Sequence, residues 1–136
     1  MLPPGTDDLI ALAFREDIGD GDHTSLSTIP ENAHGAARLI VKDDGVLAGV
    51  EMAQAVAAYF DPALSFRIYL EDGALVKKGE IAFNLMGPTR SILMVERVLL
   101  NFMQRMSGIA TMTRRYVSAV EGTGCRVLDT RKTTPG

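Results

Sequence analysis

Three features of the 136-residue sequence predict an α+β fold. The prediction is a small antiparallel sheet with helices on one face, leading through a long helix into the first strand of a parallel α/β layer. Between residues 36 and 86, short apolar runs alternate with turns rich in Gly, Asp and Lys, as antiparallel strands do. Ile92, Val95, Leu99, Phe102, Met106, Ile109, Tyr116 and Val120 then recur at steps of three and four, with Thr113 the one polar residue in the series. That is the repeat of a helix burying one face. Finally, Glu121-Gly122-Thr123-Gly124 places two glycines where a helix stops, and Cys125-Arg126-Val127-Leu128-Asp129 alternates as a strand before Thr130-Arg131-Lys132.

Composition bounds the possibilities. At 46% hydrophobic the chain has enough apolar residues for one sizeable core and too few residues for two. A formal net charge of −3, with no dense Lys/Arg run, argues against a nucleic-acid surface, while a local cationic pocket remains compatible with it. The one cysteine, Cys125, excludes an internal disulfide framework, and its place in an apolar strand predicts a small buried side chain rather than a nucleophile. No apolar run approaches a membrane span, and the opening residues lack the regions of a signal peptide, so a soluble cytoplasmic chain is expected.

The elements follow in order. Thr6 is a suitable N-cap, Asp7 and Asp8 suit the positive end of a helix dipole, and residues 9–14 supply the apolar face of a first helix ending by Ile18-Gly19. Gly19-Asp20-Gly21-Asp22-His23-Thr24-Ser25 has two alternating aspartates but lacks the regular ligand spacing and closing Glu of a calcium loop. A turn held by side-chain hydrogen bonds is expected there. His23 and His34 have no cysteine near them, which makes a zinc site improbable. Residues 36–41 and 46–49 flank Asp43-Asp44-Gly45 and read as a hairpin. Residues 50–60 read as a second helix, 64–70 as an alternating strand, 74–76 as a short strand between turns, and 81–86 as a strand closed by Gly87-Pro88. The expected division is an amino-terminal α+β domain over 1–116, containing the start of a linking helix over 89–121, and the start of a second domain over 117–136.

Arg131 and Lys132 directly after a strand lie where open α/β sheets and α/β barrels keep their active sites. Thr130, Thr133 and Thr134 add hydroxyls, so the short loop gathers five groups able to donate to phosphate or carboxylate oxygens. Arg97, Asn101, Gln104, Arg105 and Gly108 recur at helical spacing opposite Leu99, Phe102 and Met106, which puts Arg97 on the polar face of the long helix. Arg105, Arg114 and Arg115 read as surface cations.

Several separated motifs together resemble the quinolinate phosphoribosyltransferase family, also called nicotinate-nucleotide pyrophosphorylase (carboxylating). They are Glu16-Asp17-Ile18-Gly19-Asp20-Gly21-Asp22-His23-Thr24, Asp44-Gly45-Val46-Leu47-Ala48-Gly49, Val95-Glu96-Arg97-Val98-Leu99-Leu100-Asn101-Phe102, Ser107-Gly108-Ile109-Ala110-Thr111, and Leu128-Asp129-Thr130-Arg131-Lys132-Thr133-Thr134-Pro135-Gly136. The resemblance implies that the terminal strand is the first of an α/β barrel that this chain does not complete. It also implies phosphoribosyl transfer from phosphoribosyl pyrophosphate to quinolinate with decarboxylation, giving nicotinate mononucleotide, carbon dioxide and pyrophosphate for NAD biosynthesis. On the family's pattern Thr130, Arg131 and Lys132 contact substrates, with Lys132 catalytic, and Arg97 reaches the active site of a partner subunit. A homodimer or higher homo-oligomer is therefore implied. Mg2+ accompanies phosphoribosyl pyrophosphate, with its protein ligands beyond Gly136, and the chain by itself is expected to be inactive. The alternatives are a molybdenum-transport-associated relative of the same family and a lipoyl- or biotinyl-like binding domain. The second rests on Asp72-Gly73-Ala74-Leu75-Val76-Lys77-Lys78-Gly79-Glu80-Ile81, whose lysines sit in the wrong turn for a carrier.

Overall fold

Strand pairing is governed by one apolar sheet face that has to be covered. In a computed structural model describing residues 2–19, 21, 23–130 and 132, the elements are α1 (Thr6–Ile18), α2 (His23–Thr28), β1 (His34–Ile40), β2 (Gly45–Val46), α3 (Val50–Phe60), β3 (Ser65–Ile68), β4 (Leu75–Val76), β5 (Ile81–Pro88) and α4 (Thr89–Ala119). β5 is the central strand of an antiparallel sheet of order β1-β5-β3, and β2 and β4 form a separate antiparallel pair. The register sets Ala37 opposite Leu85, Leu39 opposite Phe83, and Phe66 and Ile68 opposite Leu85 and Phe83 from the other side. These residues, two apart along each strand, share one face. Phe83 and Leu85 are buried in one core with Val56 of α3 and Val95 and Leu99 of α4. Residues of the opposite face of β1, including Ala36, Arg38 and Ile40, are exposed, so the helices lie on one face as expected.

The expected hairpin between 36–41 and 46–49 does not form. β1 pairs with β5 instead, and β2 turns away to pair with β4. The cause is α4, which takes the 45–49 segment against its side. Thr111 Oγ1 accepts from Val46 N at 2.9 Å, while Ser107 Oγ accepts from Ala48 N at 2.9 Å and donates to Ala48 O at 3.0 Å. A Cβ on Gly49 would stand 3.2 Å from the Met103 backbone, and its φ of +99° is a conformation glycine adopts freely. Two of the motifs therefore meet in space, and together they clamp α4 to the sheet.

Several helix ends differ from expectation. Gly5, not Thr6, is the N-cap of α1, and Thr6 is the first helical residue with its hydroxyl donating to Pro3 O at 2.6 Å. Residues His23–Thr28 form α2, where only a turn was expected; Asp20 and Asp22 of that segment lie outside the described residues. Arg90 explains the short helix, since its guanidinium donates to the Leu26 and Ile29 carbonyls at the end of α2. The amino end of α3 is capped from a distance. Asp72, in the turn before β4, accepts from Val50 N at 2.8 Å and Glu51 N at 3.0 Å.

α4 runs 31 residues, but its buried positions are Ile92, Val95, Val98, Leu99 and Met103, all in the first half. The expectation that the whole helix is core is thus corrected. The sheet and α3 reach only part of its length, and farther along Ile109 and Tyr116 are 60% and 61% exposed. The helix ends as predicted near glycines, Gly122 and Gly124 having φ of +78° and +76°. The strand expected over 125–129 is not formed: residues 125–130 pair in no ladder, and Cys125, expected to be buried, is exposed. A strand requires a neighbour to accept its backbone groups, and none among the described residues lies beside it.

Asp72→Ala should destabilise the chain by about 1–2 kcal/mol in urea unfolding, because two helix N–H groups lose their acceptor. Asp61 gives a pH test. Donation by the Ser91 hydroxyl, then by the Ala63 N–H, holds its carboxyl below the ordinary value of 3.8. A folded-state value below the unfolded one makes the charge stabilising above pH 3.8, and that stabilisation disappears as pH falls through the folded-state value. Asp61→Asn should lower the thermal midpoint at pH 7, and the gap to the wild type should close as acid titration proceeds below that range.

Candidate functional site

Arg97 sits halfway along the buried part of α4, between Val95 and Leu99, and points away from the core. Its side chain is 74% exposed, and Asn101, Gln104, Arg105 and Gly108 of the same stripe are exposed as well. The outward face predicted for Arg97 is therefore observed. Its partner is not a neighbour on α4. Arg97 Nη1 donates to Asp17 Oδ1 at 3.2 Å, across 80 residues of sequence. Asp17 lies in the last turn of α1, which is fixed by Ile10 and Phe14. Ile10 is fully buried, and the Phe14 ring packs 5.1 Å from Phe60 of α3.

The second group of predicted residues lies at the other end of α4. Thr130 is exposed, its N–H donates to Asp129 Oδ1 at 2.7 Å, and its Oγ1 accepts from Lys132 N at 3.4 Å. Lys132 is exposed as well; Arg131, Thr133 and Thr134 lie outside the described residues. At a rise of about 1.5 Å per residue, α4 carries the chain about 33 Å from Arg97 to its end at Ala119. No hydrogen bond or ion pair among the described residues links Arg97 to Thr130 or Lys132. Arg114 and Arg115 are exposed, as is Arg105.

A concavity lies elsewhere. A groove of about 750 Å³ runs between β1, the turn before β2 and α4, with Leu39, Val46, Leu47, Leu100 and Met103 in its walls. It is the partly uncovered apolar face of the sheet, and neither Arg97, Thr130 nor Lys132 lines it. Arg38, Lys42 and Arg115 also line it, mixed with the acidic Asp43, Asp44 and Glu96. No group of three or more His, Cys, Asp or Glu side chains able to hold a metal ion occurs among the described residues. The described residues thus do not make a magnesium site. The turn bearing Lys77 and Lys78 is structural: Lys77 N donates to Glu80 Oε2 at 2.7 Å and Lys78 N to Asp44 Oδ1 at 2.9 Å.

Fold and cations together define an α+β domain whose long helix presents the Arg97 guanidinium outward and leads to a second group of basic residues. The sequence profile described as "Quinolinate phosphoribosyl transferase, N-terminal domain" matches residues 22–107, and "Quinolinate phosphoribosyl transferase, C-terminal domain" matches 109–136. The chain belongs to the quinolinate phosphoribosyltransferase family. It is 46% identical over 129 residues to the chloroplastic nicotinate-nucleotide pyrophosphorylase (carboxylating) of Oryza sativa subsp. japonica, covering 94% of this chain and 34% of that one. A probable nicotinate-nucleotide pyrophosphorylase (carboxylating) of Bacillus subtilis is 41% identical over 123 residues, covering 90% of this chain and 42% of that one. Among solved structures, NadC from Streptococcus pyogenes superposes with a TM-score of 0.94 at 37% identity, over 99% of this chain and 48% of that one. The chain therefore spans between about a third and a half of the length of these relatives. The sequence signal for Arg97 was its motif and helical face; Asp17 lies in another of the motifs, but nothing in the sequence paired it with Arg97.

Proposed function

We propose that these residues form the amino-terminal part of an enzyme that transfers the phosphoribosyl group of phosphoribosyl pyrophosphate to quinolinate and decarboxylates the product. In that reaction the quinolinate ring nitrogen forms a bond to the anomeric carbon as the bond to pyrophosphate breaks. The carboxylate next to the nitrogen then leaves as carbon dioxide, its bonding pair stays on the ring carbon beside the cationic nitrogen, and a proton replaces it. The products are nicotinate mononucleotide, carbon dioxide and pyrophosphate.

The observation that carries the reading is the outward guanidinium of Arg97 in a domain of this family. Both substrates are polyanions, and fixed donors approaching from more than one side are what stabilises them in a closed site. Arginine can grip a planar carboxylate with two parallel N–H donors, and lysine serves phosphate as a compact charge. Thr130, Arg131 and Lys132 contact the substrates in this reading, with Lys132 beside the reacting groups. Arg97 serves the site of a second copy, because α4 separates it from the 130–132 loop of its own chain. Exposed Ile109, Met112 and Tyr116 on the outer half of α4 support association into a homodimer or larger homo-oligomer. Magnesium enters with phosphoribosyl pyrophosphate. No helix is long and apolar enough to cross a membrane among the described residues, and a cytoplasmic enzyme is proposed.

In the full-length protein containing this chain, Arg97→Ala should lower kcat/KM for quinolinate by about a hundredfold, the scale of leaving a buried carboxylate without its charged partner. Residues 1–136 alone should form no nicotinate mononucleotide under the same conditions. An Arg97→Ala enzyme with unchanged kinetics would remove the role assigned to Arg97, and turnover by the isolated chain would show that the barrel is dispensable.

A further inference from the structure

We propose that Asp17 is a positioning residue for Arg97, holding the guanidinium in the orientation that meets a carboxylate of quinolinate. The inference rests on the function proposed above and adds a residue which that function does not use. Arg97 is a long side chain that is 74% exposed, while Asp17 is 19% exposed and anchored by a helix whose Ile10 is fully buried. One end of the pair is therefore fixed and the other is free to swing. Among the described residues a single bond, from Nη1 to Oδ1 at 3.2 Å, restrains it. The guanidinium has five N–H donors, so this leaves the edge formed by Nη2 and Nε for a bidentate grip on a ligand carboxylate.

Stability does not account for the pair. An ion pair this exposed contributes little to folding, because solvent screens it and ordering the side chain opposes it. The last turn of a helix is also the wrong end of the dipole for a carboxylate. Asp17 is thus locally unfavourable in α1 and becomes useful only through Arg97. An unrestrained arginine has to lose its rotamer freedom when substrate binds, whereas one already held does not. Asp17 lies within Glu16-Asp17-Ile18-Gly19, the first of the motifs, and the pair assigns that motif a place beside the substrate-facing side of α4.

The test compares wild type, Asp17→Ala, Asp17→Asn, Asp17→Glu, Arg97→Ala and the double variant Asp17→Ala/Arg97→Ala in the full-length protein. Steady-state kinetics are measured for each substrate separately, with thermal melting as the check on folding. Asp17→Ala should raise KM for quinolinate about three- to tenfold, the cost of ordering one long side chain, and leave KM for phosphoribosyl pyrophosphate unchanged. Asp17→Glu should recover part of the loss, and adding Asp17→Ala to Arg97→Ala should have no further effect. If Asp17→Ala fails to fold, Asp17→Asn, which keeps the shape and removes the charge, takes its place in the cycle. An unchanged or lowered KM for quinolinate, or equal effects of Asp17→Ala with and without Arg97, overturns the positioning role. An Arg97→Ala enzyme of normal activity overturns the underlying function instead, so the two failures are distinguishable.

Discussion

Burial of one side of the first half of α4 is the constraint on which the remaining structure depends. Ile92, Val95, Val98, Leu99 and Met103 are each at most 5% exposed, and they meet Phe83 and Leu85 of the sheet and Val56 of α3. Each such side chain contributes roughly 1.5–3 kcal/mol when taken out of water. With that face fixed, the opposite face has one orientation, and Arg97 lies on it. The polar clamps act on the same helix: Ser107 and Thr111 hold the 45–49 segment, Ser91 bonds Asp61 at the end of α3, and Arg90 closes α2. The side of α4 from which Arg97 projects is therefore set by core packing and backbone hydrogen bonding, and its contact with Asp17 acts on the guanidinium at the end of the side chain.

The same arrangement explains why, among the described residues, Arg97, Thr130 and Lys132 share no enclosed pocket. A closed site for two polyanions needs donors on several sides, and a single helix face supplies one. Past the 45–49 segment held by Ser107 and Thr111, the outer half of α4 continues with Met112, Tyr116 and Val117 exposed. It leads to Thr130 and Lys132, which are exposed and held only by local bonds. In the proposed function the site is assembled from two copies, with the arginine delivered by one and the 130–132 loop by the other.

The sequence was legible where the determining interactions are local or periodic. The apolar repeat located α3 and α4, the acidic first turn and apolar run located α1, alternation located β3, and flanking turn residues located β5. The outward face of Arg97 followed from spacing alone. Pairing was not legible, because which strand accepts β1 depends on where α4 docks, and Ser107 and Thr111 are 59 and 65 residues from the groups they bind. Asp72 caps a helix 22 residues away, and Asp17 meets Arg97 across 80, distances over which propensity carries no signal. The tail failed for a different reason: residues 125–129 have a strand's pattern, but a strand is a property of a pair.

The measurement that tests the central claim most directly is subunit complementation. Full-length Arg97→Ala and Lys132→Ala proteins, each of strongly reduced activity alone, are mixed under conditions that exchange subunits, and nicotinate mononucleotide formation is followed. If Arg97 serves the neighbouring copy's site, each mixed dimer contains one intact and one doubly altered site, and an equimolar mixture regains about a quarter of wild-type activity. If Arg97 serves its own chain, every site in the mixed dimer lacks one residue. Subunit exchange demonstrated by mass, with no recovery of activity, would contradict the account.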